Sequence, residues 1–181
     1  RIERVVGVLS KGDGSLGSWK AEVVKKYGKK KQKKYPKHNL SNYSGRRAKD
    51  WGRPGKGLPD ELEPESKEHP VQTVTLVTSY AEARDSIANG YPVAVCSNYG
   101  TTLKRRDSEG FARWNTSWAH CMMFIACDDE HKRPGLLCVN SWGPDWISGP
   151  TRHNQPPGSF WVDAEEVERM LRGRDSFALS Q

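Results

Sequence analysis

The chain has 181 residues, 35% of them hydrophobic and 28% charged, with a formal net charge of +7. That length can bury a core as one domain or two small lobes. No run approaches the roughly 18 consecutive apolar residues of a membrane span, so no membrane partner is expected. The charge is uneven: residues 1–56 hold 17 of the 29 Lys/Arg and 4 of the 22 Asp/Glu, hence +13, while the other 12 basic and 18 acidic residues give −6. No signal-peptide pattern opens the chain, and Arg1 in place of Met suggests a fragment or a processed product.

Gly12-Asp13-Gly14-Ser15 reads as a loop, with Ser15 or Ser18 able to cap a helix. Trp19, Val23, Val24 and Tyr27 then recur at helical spacing, and Gly28 supplies the stop. Residues 29–57 are polar, rich in Lys, Gly and Tyr, and without clear period, which reads as a long surface excursion. From Val71 to Val77 the β-branched content predicts a strand. Ser79 with Glu82 forms a capping box for a short helix that Gly90 ends. Strands follow at 92–96, 118–127, 136–140 and 158–162, with a polar connection at 99–117. Asp163 with Glu166 forms a second capping box, opening a helix to Leu171, and 176–179 is a last short strand. Helices first and antiparallel strands after make an α+β chain, with lobes at 1–70 (partial, helical, with the Lys-rich loop) and 71–181.

Chemistry concentrates late. His120 lies on an apolar strand, and twenty residues on the next strand closes with Asn140-Ser141-Trp142-Gly143. A histidine within reach of a thiol takes its proton, and the imidazolium then stabilises the thiolate. An asparagine oxygen can hold the other ring nitrogen without adding charge, and an indole can shield that contact from water. Strand alternation puts Trp118, His120, Met122 and Phe124 on one face and Cys121, Met123 and Ile125 on the other.

These residues resemble the histidine–asparagine half of a papain-like cysteine peptidase. Asn89-Gly90-Tyr91-Pro92-Val93 is similar to the family's short helix and Gly-Pro-Val entry into its first barrel strand. The resemblance implies a helical N-terminal lobe packed on an antiparallel β-barrel-like C-terminal lobe, with His120 as base, Asn140 as its orienter, and Trp142 and Ser141 in support. Two alignments of the front are open. In one, Gly17-Ser18-Trp19 stands where the family has Gly-Ser-Cys-Trp, so that Ser18 replaces the nucleophile. In the other, Gly14 and Ser15 line a substrate subsite together with Ala119, and Tyr27-Gly28 and Tyr35-Pro36 match later family landmarks. The family's His and Asn follow the nucleophile by roughly 130–150 residues, whereas they follow Ser18 by 102 and 122. Spacing therefore favours the second alignment, with the nucleophile cysteine on a segment upstream of Arg1. Ala119, where the family often has Asn or Asp, the stretch from Pro150 to Pro157 and the helix after Asp163 depart from the pattern.

The four cysteines, Cys96, Cys121, Cys127 and Cys138, sit in strand-like stretches without CxxC spacing. They read as buried free thiols in a reducing compartment, cytoplasmic or virion-associated, with no metal or other cofactor. From Lys25 to Lys37 eight of thirteen residues are lysine. The tract reads as a solvated loop or as a contact for nucleic acid or an acidic partner, with Tyr27, Tyr35 and Tyr43 available for stacking. The expected function is peptide-bond hydrolysis on a peptide or protein substrate, completed by the upstream segment. The alternative is an inactive papain-like structural or binding module, as of a phage or another assembly.

Overall fold

A computed structural model describes residues 16–42, 44–52, 56–100, 104–112 and 116–180. The chain divides into two compact units, the first ending at Val74 and the second spanning Thr75–Ser180.

The first unit contains α1 (Gly17–Tyr27), α2 (Gly45–Gly52), a 3-10 turn (Asp60–Leu62) and α3 (Glu63–Lys67). Leu16 is the N-cap of α1 and gives no side-chain cap; Ser18 lies inside the helix, and Ser15 is outside the described residues. Gly28 ends α1 at φ +74°, its N–H donating to the Val24 carbonyl. Residues 29–57 are not the plain excursion expected. Tyr35-Pro36-Lys37-His38 makes a tight turn with Pro36 at its second position, where the ring presets φ; the Tyr35 N–H donates to the His38 carbonyl at 2.7 Å. Ser44 caps α2 by accepting from the Arg47 N–H. That helix has only Trp51 as a large apolar residue, so its sequence shows no stripe to read. Tyr35 is buried, with Lys30 Nζ 4.3 Å and Lys33 Nζ 5.2 Å from its ring centroid. Both lysines also pair with Glu65.

The second unit is built on β1 (Val74–Leu76), β2 (Val93–Gly100), β3 (Thr116–Asp128), β4 (Gly135–Val139), β5 (Phe160–Asp163) and β6 (Phe177–Leu179), with α4 (Tyr80–Ala88) and α5 (Ala164–Leu171). The sheet order is β1-β6-β2-β3-β4-β5, with antiparallel pairing from β6 through β5. The sheet is open where a barrel-like lobe was expected. Beyond β5, the Gly110 carbonyl accepts from Trp161 and the Ala112 N–H donates back to it, so that edge is covered. Alternate residues Val93, Val95, Met122, Phe124, Phe160 and Val162 meet Ala83 and Ile87 of α4 and Val167, Met170 and Leu171 of α5 in one core. On the other face Phe111, Leu137 and Trp161 form a second cluster, which is why β4 is buried on both sides.

Ser79 caps α4 by accepting from the Glu82 N–H, and Glu82 reaches back to the Thr78 N–H. At α5 the expected capping box does not form. Asp163 is the N-cap, but its carboxylate takes Arg133 instead. The same guanidinium bonds Asp107 at 2.6 Å. Burial alone would raise the Asp107 carboxyl, but Arg133 and the N–H groups of Phe111 and Glu109 outweigh it and hold it below the usual carboxylate range. A depressed folded-state pKa adds stability above the unfolded value and loses it as pH falls through the folded one. Arg133→Met is therefore expected to move the acid-unfolding limb to higher pH, measured by circular dichroism between about pH 2 and 5. An unmoved limb counts against the arrangement.

Candidate active site

The two residues singled out by their spacing are brought together. His120 lies on β3 opposite Ser97 of β2. Val139, the last residue of β4, pairs with Met123, so the next residue, Asn140, leaves the sheet alongside the strand that bears the histidine. His120 Nε2 is 2.9 Å from Asn140 Oδ1. The same oxygen accepts the Ser141 backbone N–H at 2.7 Å. A backbone N–H can only donate, so the atom it faces is the amide oxygen, and the His120 nitrogen facing that oxygen must donate too. Nε2 thus carries a proton, and Nδ1 is the ring nitrogen left to gain or lose one. Asn140 Nδ2 is buried and meets no acceptor among the described residues. Turning the amide over would set Nδ2 against the Ser141 N–H, donor against donor, so that bond holds the oxygen in place despite the unpartnered NH2.

Trp142 stacks on the imidazole, centroids 4.7 Å apart and planes 26° from parallel. Its other side is open, with 48% of its surface exposed. Trp146 meets Trp142 edge-on at 5.2 Å and Phe160 at 5.5 Å. An aromatic column therefore runs from the core at Phe160 to the histidine, and the indole lid keeps water from one face of the His120–Asn140 bond. Gly143, at φ +102°, gives the turn after Trp142 its positive backbone angle. Ser141 serves through its backbone. Ala119 is exposed beside His120 on β3, Ser18 is exposed in the first turn of α1, and Gly14 and Ser15 lie outside the described residues. In sequence, Trp146 resembles the tryptophan that the papain-like pattern keeps after the Trp142-Gly143 turn; its indole N–H to the Gly158 carbonyl had no such signal.

The cysteines are not four free thiols. Cys96 and Cys121 face each other across β2 and β3 and are joined in a disulfide. Opposed residues at a narrow antiparallel site bring their Cα atoms close together, here 4.1 Å. The reducing-compartment expectation rested on free thiols and loses that basis. Pleat alternation puts the disulfide on the opposite face of β3 from His120. Cys138 is buried against Met122, and burial pushes its thiol well up. Burial first and Asp129 second push Cys127 up as well. Raised thiols are the reverse of what a nucleophile needs. A thiol titration of the unreduced, denatured chain should find two free cysteines, Cys127 and Cys138, and four after reduction; four before reduction would refute the crosslink.

No protein-family model and no curated protein sequence matches the chain. Solved structures do. A digestive procathepsin L 3 of Tenebrio molitor larval midgut aligns with a TM-score of 0.59 at 14% identity, over 99% of this chain and 53% of that one. Xylellain, a cysteine protease from Xylella fastidiosa, aligns with a TM-score of 0.59 at 17% identity, over 99% of this chain and 66% of that one. The fold is papain-like. The chain spans between about half and two thirds of the length of these papain-like structures. The expected architecture stands, with an open sheet in place of the barrel-like lobe.

Proposed function

We propose that this chain carries the histidine–asparagine half of a cysteine peptidase, and that a segment outside these 181 residues brings the thiol. The contact that supports the reading most is the 2.9 Å bond from His120 Nε2–H to an Asn140 oxygen also engaged by Ser141. With Nε2 donating to that oxygen, Nδ1 is the ring nitrogen available to serve as base on this reading. In the reaction Nδ1 takes the thiol proton and the thiolate attacks the peptide carbonyl. The imidazolium then gives its proton to the leaving amine, forming an acyl-thioenzyme. Water, deprotonated by the same nitrogen, hydrolyses the thioester and frees the thiol. On this reading the exposed Ala119, next to His120 on β3, borders the substrate. The test is the protein sequence encoded ahead of Arg1, together with turnover of a peptide substrate by that longer protein. A cysteine at a helix start followed by tryptophan, and thiol-dependent turnover that His120→Ala abolishes, support the reading; no such cysteine removes it.

A second reading, a binding module without turnover, has one observation in its favour. Lys30 and Lys33 are spent on Glu65, but Lys25, Lys31 and Lys34 are exposed. Tyr35 is buried, so stacking on it is out; what remains is charge, suited to the phosphates of nucleic acid. With about four to six phosphates neutralised, affinity for a duplex oligonucleotide is expected to fall about 10²–10³-fold between 50 and 200 mM salt. A flat salt response, measured by fluorescence anisotropy, rules this contact out.

A further inference from the structure

Arg106 is 7% exposed, yet no carboxylate pairs with it among the described residues. Its guanidinium is spent on backbone instead. Nε donates to the Pro150 carbonyl at 2.7 Å, Nη2 to Gly149 at 2.7 Å and Nη1 to Ser159 at 2.8 Å. The Arg106 backbone N–H also donates to Ser148. One buried cation therefore fastens the entrance and the exit of the loop at 150–157, the stretch that departs from the family's pattern. Inside the loop, the buried Gln155 side chain donates to the Ser159 carbonyl and accepts the Arg152 N–H.

The exit of this loop bears on the histidine. The Gly158 carbonyl accepts the Trp146 indole N–H at 2.6 Å. Gly158, at φ +78°, lies so close to the Gly143 carbonyl that a Cβ there would overlap it. Gly143 directly follows Trp142, and Trp146 abuts Trp142 edge-on. Residues 158 and 159 are thus held by Arg106 on one side and support the indole over His120 on the other.

We propose that Arg106 is a positioning residue for the Trp142 lid on His120, acting through the carbonyls of Gly149, Pro150 and Ser159. Its catalytic consequence rests on the reading of His120 as the base; the positioning itself does not. The fork geometry is what counts, because a lysine keeps the charge but cannot span three diverging carbonyls.

The experiment is proton NMR of the His120 ring in the full chain. Trp142 stacked at 4.7 Å imposes a ring-current displacement on the imidazole Cε1–H signal, and Trp142→Ala defines its complete loss. Arg106→Lys is expected to move the signal most of the way to the Trp142→Ala position while the amide spectrum stays dispersed. Trp146→Phe keeps an aromatic ring but deletes the N–H to Gly158; it should move the signal the same way and tests the step from residue 158 to the lid, while Arg106→Gln carries the test of the arginine if Arg106→Lys fails to fold. In the Trp142→Ala background neither substitution should shift the signal further, which a merely stabilising arginine would not predict. An unmoved His120 signal in folded variants, or equal shifts with and without Trp142, overturns the proposal. A moved signal in a longer protein that never turns over peptide leaves the positioning intact and removes only the peptidase reading.

Discussion

Asn140→Ala should lower kcat of the nucleophile-bearing protein by about 10²-fold with little change in KM. On the proposed peptidase reading the asparagine touches the base and not the substrate, so its loss falls on the chemical step. Two effects add. Without Oδ1 the imidazole is free to put its proton on Nδ1, which removes the basic nitrogen from a share of the molecules. The ring also loses the bond that sets its plane and keeps the Trp142 stack on one face. The Ser141 N–H loses its acceptor as well, so the turn bearing Trp142 should loosen. A crystal structure or the His120 ring signals would show that loosening. Full turnover by Asn140→Ala would sink the assignment of Asn140, while full turnover by His120→Ala would sink the whole site.

The second large effect is structural. Gly28→Ala is expected to destabilise the unit ending at Val74 by about 2–5 kcal/mol, from a left-handed residue with a Cβ plus overpacking. Gly28 sits at φ +74°, and a Cβ there would run into the Ser66 carbonyl and crowd that of His69. The neighbouring Lys29 N–H donates to that His69 carbonyl at 2.9 Å. Lys30 then reaches the Leu62 carbonyl and Glu65. Displacing Gly28 breaks this seam where the Lys-rich tract begins. Hydrogen exchange should show lost protection in α1 and in the Tyr35–His38 turn, with β3 and β4 unchanged. Equal protection in both variants would refute the effect.

The sequence was most legible where a local rule and the tertiary environment agree. The strands bearing His120 and leading to Asn140 are apolar runs, and Asn140-Ser141-Trp142-Gly143 is a turn whose residue types each have a chemical use. Gly28 and Ser79 announced a helix end and a helix start by mechanisms that depend on adjacent residues only. Legibility failed where partners come from far along the chain. Asp163 has the sequence of a cap, but Arg133, thirty residues away, claims its carboxylate. Cys96 and Cys121 become neighbours only once β2 and β3 are in register. The polar helix α2 lacks the stripe that reveals a helix. Arg106 is one arginine beside another in the sequence, and only folding reveals which carbonyls it gathers.

The bridge between β2 and β3 has a practical bearing on enzymology. Thiol enzymes are customarily kept active with a reducing agent, which leaves the nucleophile as a thiol. Here the same agent would also open Cys96–Cys121, one residue along the strand from His120. The strand that presents the base would then depend on its backbone ladder and side-chain packing alone. On the proposed peptidase reading, rates measured at low and at high dithiothreitol would thus report two differently braced forms of the same site.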